Sequence, residues 1–290
     1  MKLPPVDYEA PGTVSEAVEL LAEHLDEASV LAGGQSLIPL LALRLAHPAV
    51  LIDINGIAGL SGVSATNGWV AIGAMTREYA AEESGTVAGA VPLLAAALPL
   101  IGHEAIRNRG TVGGSLAHAD PAAELPAVAR ALDAEFVVCG PSGERVVPAA
   151  EWFEGYLTTS RSPDELLTQV RFPAAGRGTG ISFQEVARRH GDFAIVGLAA
   201  SLTLCDGTIS DARLAFAGMS DVPVRASGAE DLLAGERPSA ELFDEAARRA
   251  TGDLDPPADL HGSSDYRKKV AAALVRRGLQ AAADDAGERR

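Results

Sequence analysis

Two glycine pairs constrain this chain more than any other feature. The first stands in Leu31-Ala32-Gly33-Gly34-Gln35-Ser36-Leu37-Ile38, the second in Thr111-Val112-Gly113-Gly114-Ser115. Without a Cβ, consecutive glycines turn through positive φ without strain and let backbone N–H groups close on an anion. The apolar run Val30-Leu31-Ala32 leads straight into the first pair, and a helical pattern from Ser36 to Leu45 follows, with Pro39 near its first turn. Strand, glycine turn, helix is the expected local fold. Neither pair is followed by Lys-Ser or Lys-Thr, and neither has the Gly-x-Gly-x-x-Gly spacing, so the P-loop and the Rossmann fingerprint both fail. What remains is two glycine turns beside Gln35, Ser36, Thr111 and Ser115. They suit either ordinary tight turns or one diphosphate held from two sides without a metal.

The flanking pattern predicts alternating elements. Thr13-Val14-Ser15-Glu16 reads as a capping box opening a helix over 14–25, with Val14, Val18, Leu21 and Leu25 on one face. Val50–Ile54 and Trp69–Ile72 read as buried strands, the second preceded by the hairpin signal Asn67-Gly68. Met75–Leu100 is alanine-rich and mostly helical, punctuated by Pro92 and Pro99. Asp120-Pro121 supplies an N-cap and a first-position proline for a helix through Leu125, Val128 and Leu132. Glu135–Cys139 and Glu144–Val147 flank the turn Gly140-Pro141-Ser142-Gly143, and Leu166–Phe172 is a further strand. The Pro- and Gly-rich stretch 173–180 reads as a linker. Beyond it, Ile181–Val186, Ile195–Leu204 and Ile209–Ala217 form an antiparallel meander. Helices follow near 227–234, 239–250 and 264–282, and the tail Ala283–Arg290 is expected to fray.

Charge and cysteine content narrow the partners. The 39 acidic against 24 basic residues leave a formal charge of −15, which opposes nucleic acid, itself a polyanion. Cys139 and Cys205 are too few for a Cys-rich zinc site, an iron–sulfur cluster or a disulfide framework, and they point to a reducing compartment. His103, His118 and His190 share no metal-ligand spacing. The N-terminus carries no secretion signal, and no apolar run reaches the roughly 18 residues that span a bilayer. A cytoplasmic protein with no transmembrane segment is expected.

The first loop, Leu31–Pro39, together with Ile106-Arg107-Asn108-Arg109-Gly110-Thr111-Val112-Gly113-Gly114-Ser115-Leu116 and Asp120-Pro121-Ala122-Ala123-Glu124, resembles the FAD-binding medium subunit of molybdenum hydroxylases. That family includes carbon monoxide dehydrogenase, the nicotine and quinoline dehydrogenases and the flavin module of xanthine dehydrogenase. The resemblance extends to His190-Gly191-Asp192-Phe193-Ala194 and to His261-Gly262-Ser263-Ser264-Asp265-Tyr266-Arg267. It implies an α+β fold: a two-subdomain FAD-binding domain of the PCMH/VAO type, then a three-stranded antiparallel sheet with a helical bundle. The corresponding division is 1–175, with subdomains of about 1–56 and 57–175, then 179–285 and a tail at 286–290.

The resemblance also implies roles. Residues 31–38 and 111–115 wrap the FAD diphosphate, chiefly through backbone amides. Glu124 matches a carboxylate that contacts the cofactor in relatives, and Asp120 either caps a helix or positions the second loop. Ile101 and Leu166 match positions lining flavin or adenine and suit plain core equally. Phe193 matches a position beside the isoalloxazine ring. Relatives often carry a lysine near Gln184 or Glu185, and this chain has none there. Arg107 and Arg109 either offset diphosphate charge or face a partner. No residue is implied as catalytic.

The implied function is an oxidoreductase's electron-transfer subunit. A large molybdopterin subunit oxidises the substrate, a small subunit with [2Fe–2S] clusters relays the electrons, and this chain's FAD passes them to an external acceptor, within a dimer of heterotrimers. The benzoyl-CoA type, whose flavin subunit carries its own cluster, is excluded by the cysteine count. A stand-alone FAD-dependent oxidoreductase of the same superfamily and a flavin-free scaffold are the alternatives. Carbon monoxide, an N-heterocycle or an aldehyde all fit as substrate, and quinone, NAD or oxygen as acceptor.

Overall fold

The computed structural model describes residues 3–252 and 254–289; Met1, Lys2, Asp253 and Arg290 lie outside that description. Strands Asp7–Glu9, Ala28–Leu31 and Val50–Asp53 form a parallel sheet with Val50–Asp53 at its centre. Helix Val14–His24 buries Ala17, Val18 and Leu21 in the same cluster as Val50 and Ile52. The Thr13 hydroxyl accepts the Glu16 N–H at 3.2 Å, as a capping box requires. The Glu16 carboxylate reaches one residue further back than the pattern predicts, accepting the Gly12 N–H at 2.7 Å. The helix after the first glycine pair is shorter than expected, Leu37–Ala42, and Arg44 at φ 62 turns the chain away.

An antiparallel sheet follows, in the order Val63–Thr66, Trp69–Gly73, Leu166–Pro173, Glu135–Gly140, Gly143–Pro148. Asn67 and Gly68 both take positive φ, 52° and 81°, the backbone a two-residue hairpin turn needs. Trp152 stacks on Phe136 at 4.4 Å between centroids, and its indole N–H donates to the Leu116 carbonyl at 2.9 Å. The alanine-rich stretch is broken into Glu78–Glu82, Gly85–Ala90, Pro92–Ala97 and the 3-10 turn Leu98–Leu100. Proline opens a helix readily but cannot continue one, which explains the new start at Pro92.

Asp120 departs from its expected helix-capping role. Helix Val112–His118 ends at Ala119 in the left-handed region, and Asp120 Oδ1 accepts the Ala122 N–H at 2.9 Å inside the turn that follows. Helix Glu124–Ala131 begins later, capped by Ala123 with no side-chain bond. Asp120 thus closes a local turn, which competes with capping for the same carboxylate.

The second half is a sheet in the order Thr179–Val186, Val196–Cys205, Thr208–Ala217, Val224–Arg225. The three long strands are the expected meander, and the two-residue strand Val224–Arg225 extends its edge. Both faces are buried. Leu198, Ala200, Leu202, Leu214 and Phe216 share a core with helices Ser227–Leu233, Ala240–Gly252 and Ser264–Glu288. Ala199, Ala215 and Ala217 join the core of the first half, against helices Pro92–Ala97 and Glu124–Ala131. Alanine on that face lets the two halves pack closely, so the stretch read as a linker joins units that share one core.

The tail does not fray as expected. Helix Ser264–Glu288 continues through it, burying Ala286 beside Gly180, and Asp285 Oδ2 accepts the Ile181 N–H at 2.9 Å. The packing that orders these residues comes from a strand far away in sequence.

Candidate cofactor site

Strand Ala28–Leu31 delivers the chain into the first loop. A Cβ on Gly33 would lie 2.4 Å from the Arg109 carbonyl oxygen and 2.9 Å from Gly110 Cα, so the two loops touch where only glycine fits. Gly34 has φ +71°, with Leu31 and Ile38 side chains packed on either side of it. Gln35 Nε2 donates to the Gly33 carbonyl at 3.0 Å. Among the described residues, the N–H groups of Gly33, Gly34, Gln35 and Ser36 donate to no protein acceptor. A left-handed glycine beside such a row of donors is backbone geometry that can receive an anion.

The second loop is built differently. The N–H groups of Val112, Gly113, Gly114 and Ser115 are bonded to Thr76 O, Ala74 O, Thr111 Oγ1 and Thr111 O, all at 2.9 to 3.0 Å. A Cβ on Gly113 would sit 2.4 Å from that of Ala74, and one on Gly114 2.6 Å from Thr111 Oγ1. These glycines are required by packing. The expected two-sided amide grip is therefore lopsided: free backbone donors come from the first loop, while the second forms a rigid wall bearing the half-buried Ser115.

A group of mutually coupled carboxylates, Glu78, Glu124 and Glu185, includes one packed on Gly110 at the entrance to that wall. Glu78 and Glu124 are each only 4% exposed. Burial, followed by the negative charge of Glu124, pushes Glu78 up to about 8. Burial, followed by Glu185 and Asp120, pushes Glu124 up to about 8, and burial pushes Glu185 up to about 7. Glu78 packs directly on Gly110, where a Cβ would lie 2.3 Å from its Oε2, and that oxygen has no partner among the described residues. Motif reading missed Glu78, because nothing in its neighbourhood distinguishes it from a solvated helix residue.

A pH dependence follows. The folded Glu78 carboxyl keeps its proton to about 8, while the unfolded one releases it near 4.5. Stability is therefore fully present at low pH and declines as pH rises across that interval, by at most about 1.4 kcal/mol per pH unit for one titrating group. Glu78→Gln cannot ionise, so its Tm should rise relative to wild type between about pH 5 and pH 8. A Tm difference that stays constant across that range would refute the assignment.

The other expected residues divide. Ile101 is buried and its carbonyl accepts from Arg107, which also pairs with Glu82 at 2.7 Å, so Arg107 braces the loop from behind. Gly191 packs against Gly102 and His103, which brings the segment bearing Phe193, 55% exposed, beside Ile101. Arg267 anchors that segment: it donates to the carbonyls of Ile195 and Gly218 and pairs with Asp259 at 2.7 Å. Leu166 lies in the core with Ile54, Ile57 and Met75. Gln184 is half-buried and donates to Ser182 Oγ at 3.1 Å.

A parallel-sheet subdomain and an antiparallel one thus meet at the two glycine loops, whose first loop offers unbonded amides suited to an anionic group. Residues 4–175 match the family described as the FAD binding domain in molybdopterin dehydrogenase, and residues 181–282 match the CO dehydrogenase flavoprotein C-terminal domain. The chain belongs to this family of molybdopterin dehydrogenase flavoproteins. It is 42% identical, over 96% of its length and 95% of the relative's, to the alpha subunit of the 6-hydroxypseudooxynicotine dehydrogenase complex of Paenarthrobacter nicotinovorans. Carbon monoxide dehydrogenase of Hydrogenophaga pseudoflava, solved without the Mo-pyranopterin moiety, superposes with a TM-score of 0.95 at 40% identity, covering 97% of this chain and 98% of that one. Quinoline 2-oxidoreductase of Pseudomonas putida 86 superposes with a TM-score of 0.94 at 37% identity, covering 99% of each chain.

The chain is thus an FAD-carrying, electron-transferring subunit of a multi-subunit oxidoreductase. Among the described residues, no helix is long and apolar enough to cross a membrane.

Proposed function

We propose that the FAD diphosphate rests on the free N–H groups of Gly33, Gly34, Gln35 and Ser36, with the Thr111–Ser115 wall opposite, and that Phe193 and Ile101 border the flavin. The observation that carries this reading is the contact of Gly33 with the Arg109 carbonyl beside that row of donors. Glu124, its carboxyl pushed up to about 8 by burial first and neighbouring acids second, is neutral at pH 7. It therefore donates a hydrogen bond without adding negative charge beside a dianionic diphosphate. Bound FAD supplies the redox chemistry, taking up electrons and releasing them to an external acceptor, while the protein binds and orients it.

The chain works beside a large molybdopterin subunit and a small [2Fe–2S] subunit in a cytoplasmic dimer of heterotrimers. Residues 1–175 carry the cradle, and residues 179–285 close over its flavin end. Relatives named for 6-hydroxypseudooxynicotine, carbon monoxide and quinoline all align with nearly the full chain at 37 to 42% identity. That spread of substrates over one common subunit supports substrate choice on the molybdenum partner.

The test is optical. The purified complex should show oxidised-flavin absorbance and release one FAD per chain on denaturation. A colourless preparation that refuses added FAD would overturn the reading.

A further inference from the structure

We infer that Arg77 and Asn55 staple the two glycine loops at the spacing the FAD diphosphate requires, and that they are positioning residues for the cofactor. This rests on the cradle proposed above. Arg77 stands at the head of helix Glu78–Glu82, and its guanidinium forks. One arm donates to the Arg109 carbonyl at 2.5 Å and the other to Asn55 Oδ1 at 2.7 Å. Asn55 passes the connection on: its Nδ2 donates to the Ala32 carbonyl at 2.9 Å and to Asp53 Oδ1 at 2.6 Å. Ala32 immediately precedes Gly33, and Arg109 immediately precedes Gly110. One arginine–asparagine pair therefore bonds the carbonyl at the entrance of both loops.

The far end of the staple is fixed as well. Asp53 Oδ1 also accepts the Asn55 N–H at 2.9 Å, and Asp53 Oδ2 accepts the Tyr8 hydroxyl at 2.6 Å. Partial burial opposes ionisation of Asp53, but the bonds from Tyr8 and Asn55 and the charge of Arg77 hold its carboxyl below the ordinary value. The orientation of Asn55 is thus set from the parallel sheet, while Arg77 belongs to the other subdomain.

Two physical needs are met together. The Arg109 carbonyl points its oxygen at Gly33, toward the cradle, where an unneutralised dipole repels an anion. Bonding that oxygen to a guanidinium removes the repulsion and brings a cation close to the diphosphate. Lysine carries one compact charge without the planar fork, so it reaches Arg109 O or Asn55 Oδ1 but not both.

The experiment titrates the deflavinated complex with FAD and with ADP, comparing wild type, Arg77→Lys, Arg77→Ala, Asn55→Ala and the double alanine variant. Both ligands should bind roughly 10- to 100-fold more weakly to each single variant, the range for losing a charge-assisted bond. The double variant should be no weaker than Arg77→Ala, because both changes break one bridge. Arg77 and Asn55 line an open cavity of about 450 Å³. Methylguanidinium should therefore enter it and restore part of the affinity of Arg77→Ala but none of that of Asn55→Ala.

Wild-type FAD binding by Arg77→Lys and Asn55→Ala, with binding lost in Gly33→Ala, would sink the staple and leave the cradle standing. Wild-type binding in all three would sink both. A loss of affinity in Arg77→Ala that methylguanidinium does not touch, with a lowered Tm in the flavin-free protein, would mean a general structural role and overturn the inference.

Discussion

Gly33→Ala should weaken FAD binding by roughly 100-fold or more, equivalent to about 2.7 kcal/mol, in a protein that remains folded. The added Cβ would lie 2.4 Å from the Arg109 oxygen and 2.9 Å from Gly110 Cα. Both are backbone atoms, so no side-chain rotation relieves the overlap, and the loops must part by about an ångström to reach ordinary contact. In the proposed cradle, a diphosphate held between a row of amides and a rigid wall would lose both partners when that gap opens, because its affinity depends on a preorganised site. Flavin fluorescence quenching measures the dissociation constant, and far-UV circular dichroism checks the fold. Unchanged affinity in the folded variant would remove Gly33 from the cradle.

The largest effect on stability belongs to Gly180→Ala. A Cβ there would fall 1.9 Å from the Ala282 oxygen and 2.3 Å from the Ala286 nitrogen, both in the backbone of the last helix. The helix must lift from the sheet, loosening the burial of Ala282 and Ala286 and the Asp285 bond to Ile181. Overpacking of this kind costs about 3 kcal/mol, enough to lower Tm by several degrees. Gly89→Ala is the control: nothing lies within 4 Å of its Cβ, and it sits inside helix Gly85–Ala90. Alanine is the better helix former, so this variant should keep or slightly raise Tm. Equal melting of the two variants in one calorimetric series would contradict the packing described for Gly180.

Local chemistry was legible in the sequence wherever it decided the structure. The strand–turn–helix around Gly33, the Thr13 cap and the Asn67-Gly68 hairpin each depend on a few neighbouring residues, and each is present. Asp120 was misread because its role is set by Ala119, whose left-handed backbone ends one helix and leaves the carboxylate to close a turn. The tail was misread because an alanine-rich, charged segment looks frayed unless Gly180 is known to lie beneath it. Gly113 and Gly114 read as cradle glycines, and in the fold packing on Ala74 and Thr111 is what demands them. Arg77 and Asn55 left no local trace: an arginine and an asparagine 22 positions apart form no motif, and only the fold joins them.

The bond between Ile181 and Asp285 closes 104 positions of chain, and the helix that makes it packs over strands Thr179–Val186 and Val196–Cys205 of the second sheet. A ribosome delivers that helix after the strands it covers. Throughout synthesis of the intervening residues the sheet's apolar side is open to water and to other nascent chains, a state prone to aggregation. The second sheet therefore stays exposed until helix Ser264–Glu288 has emerged and docked, the interval in which the chain is most open to misassembly.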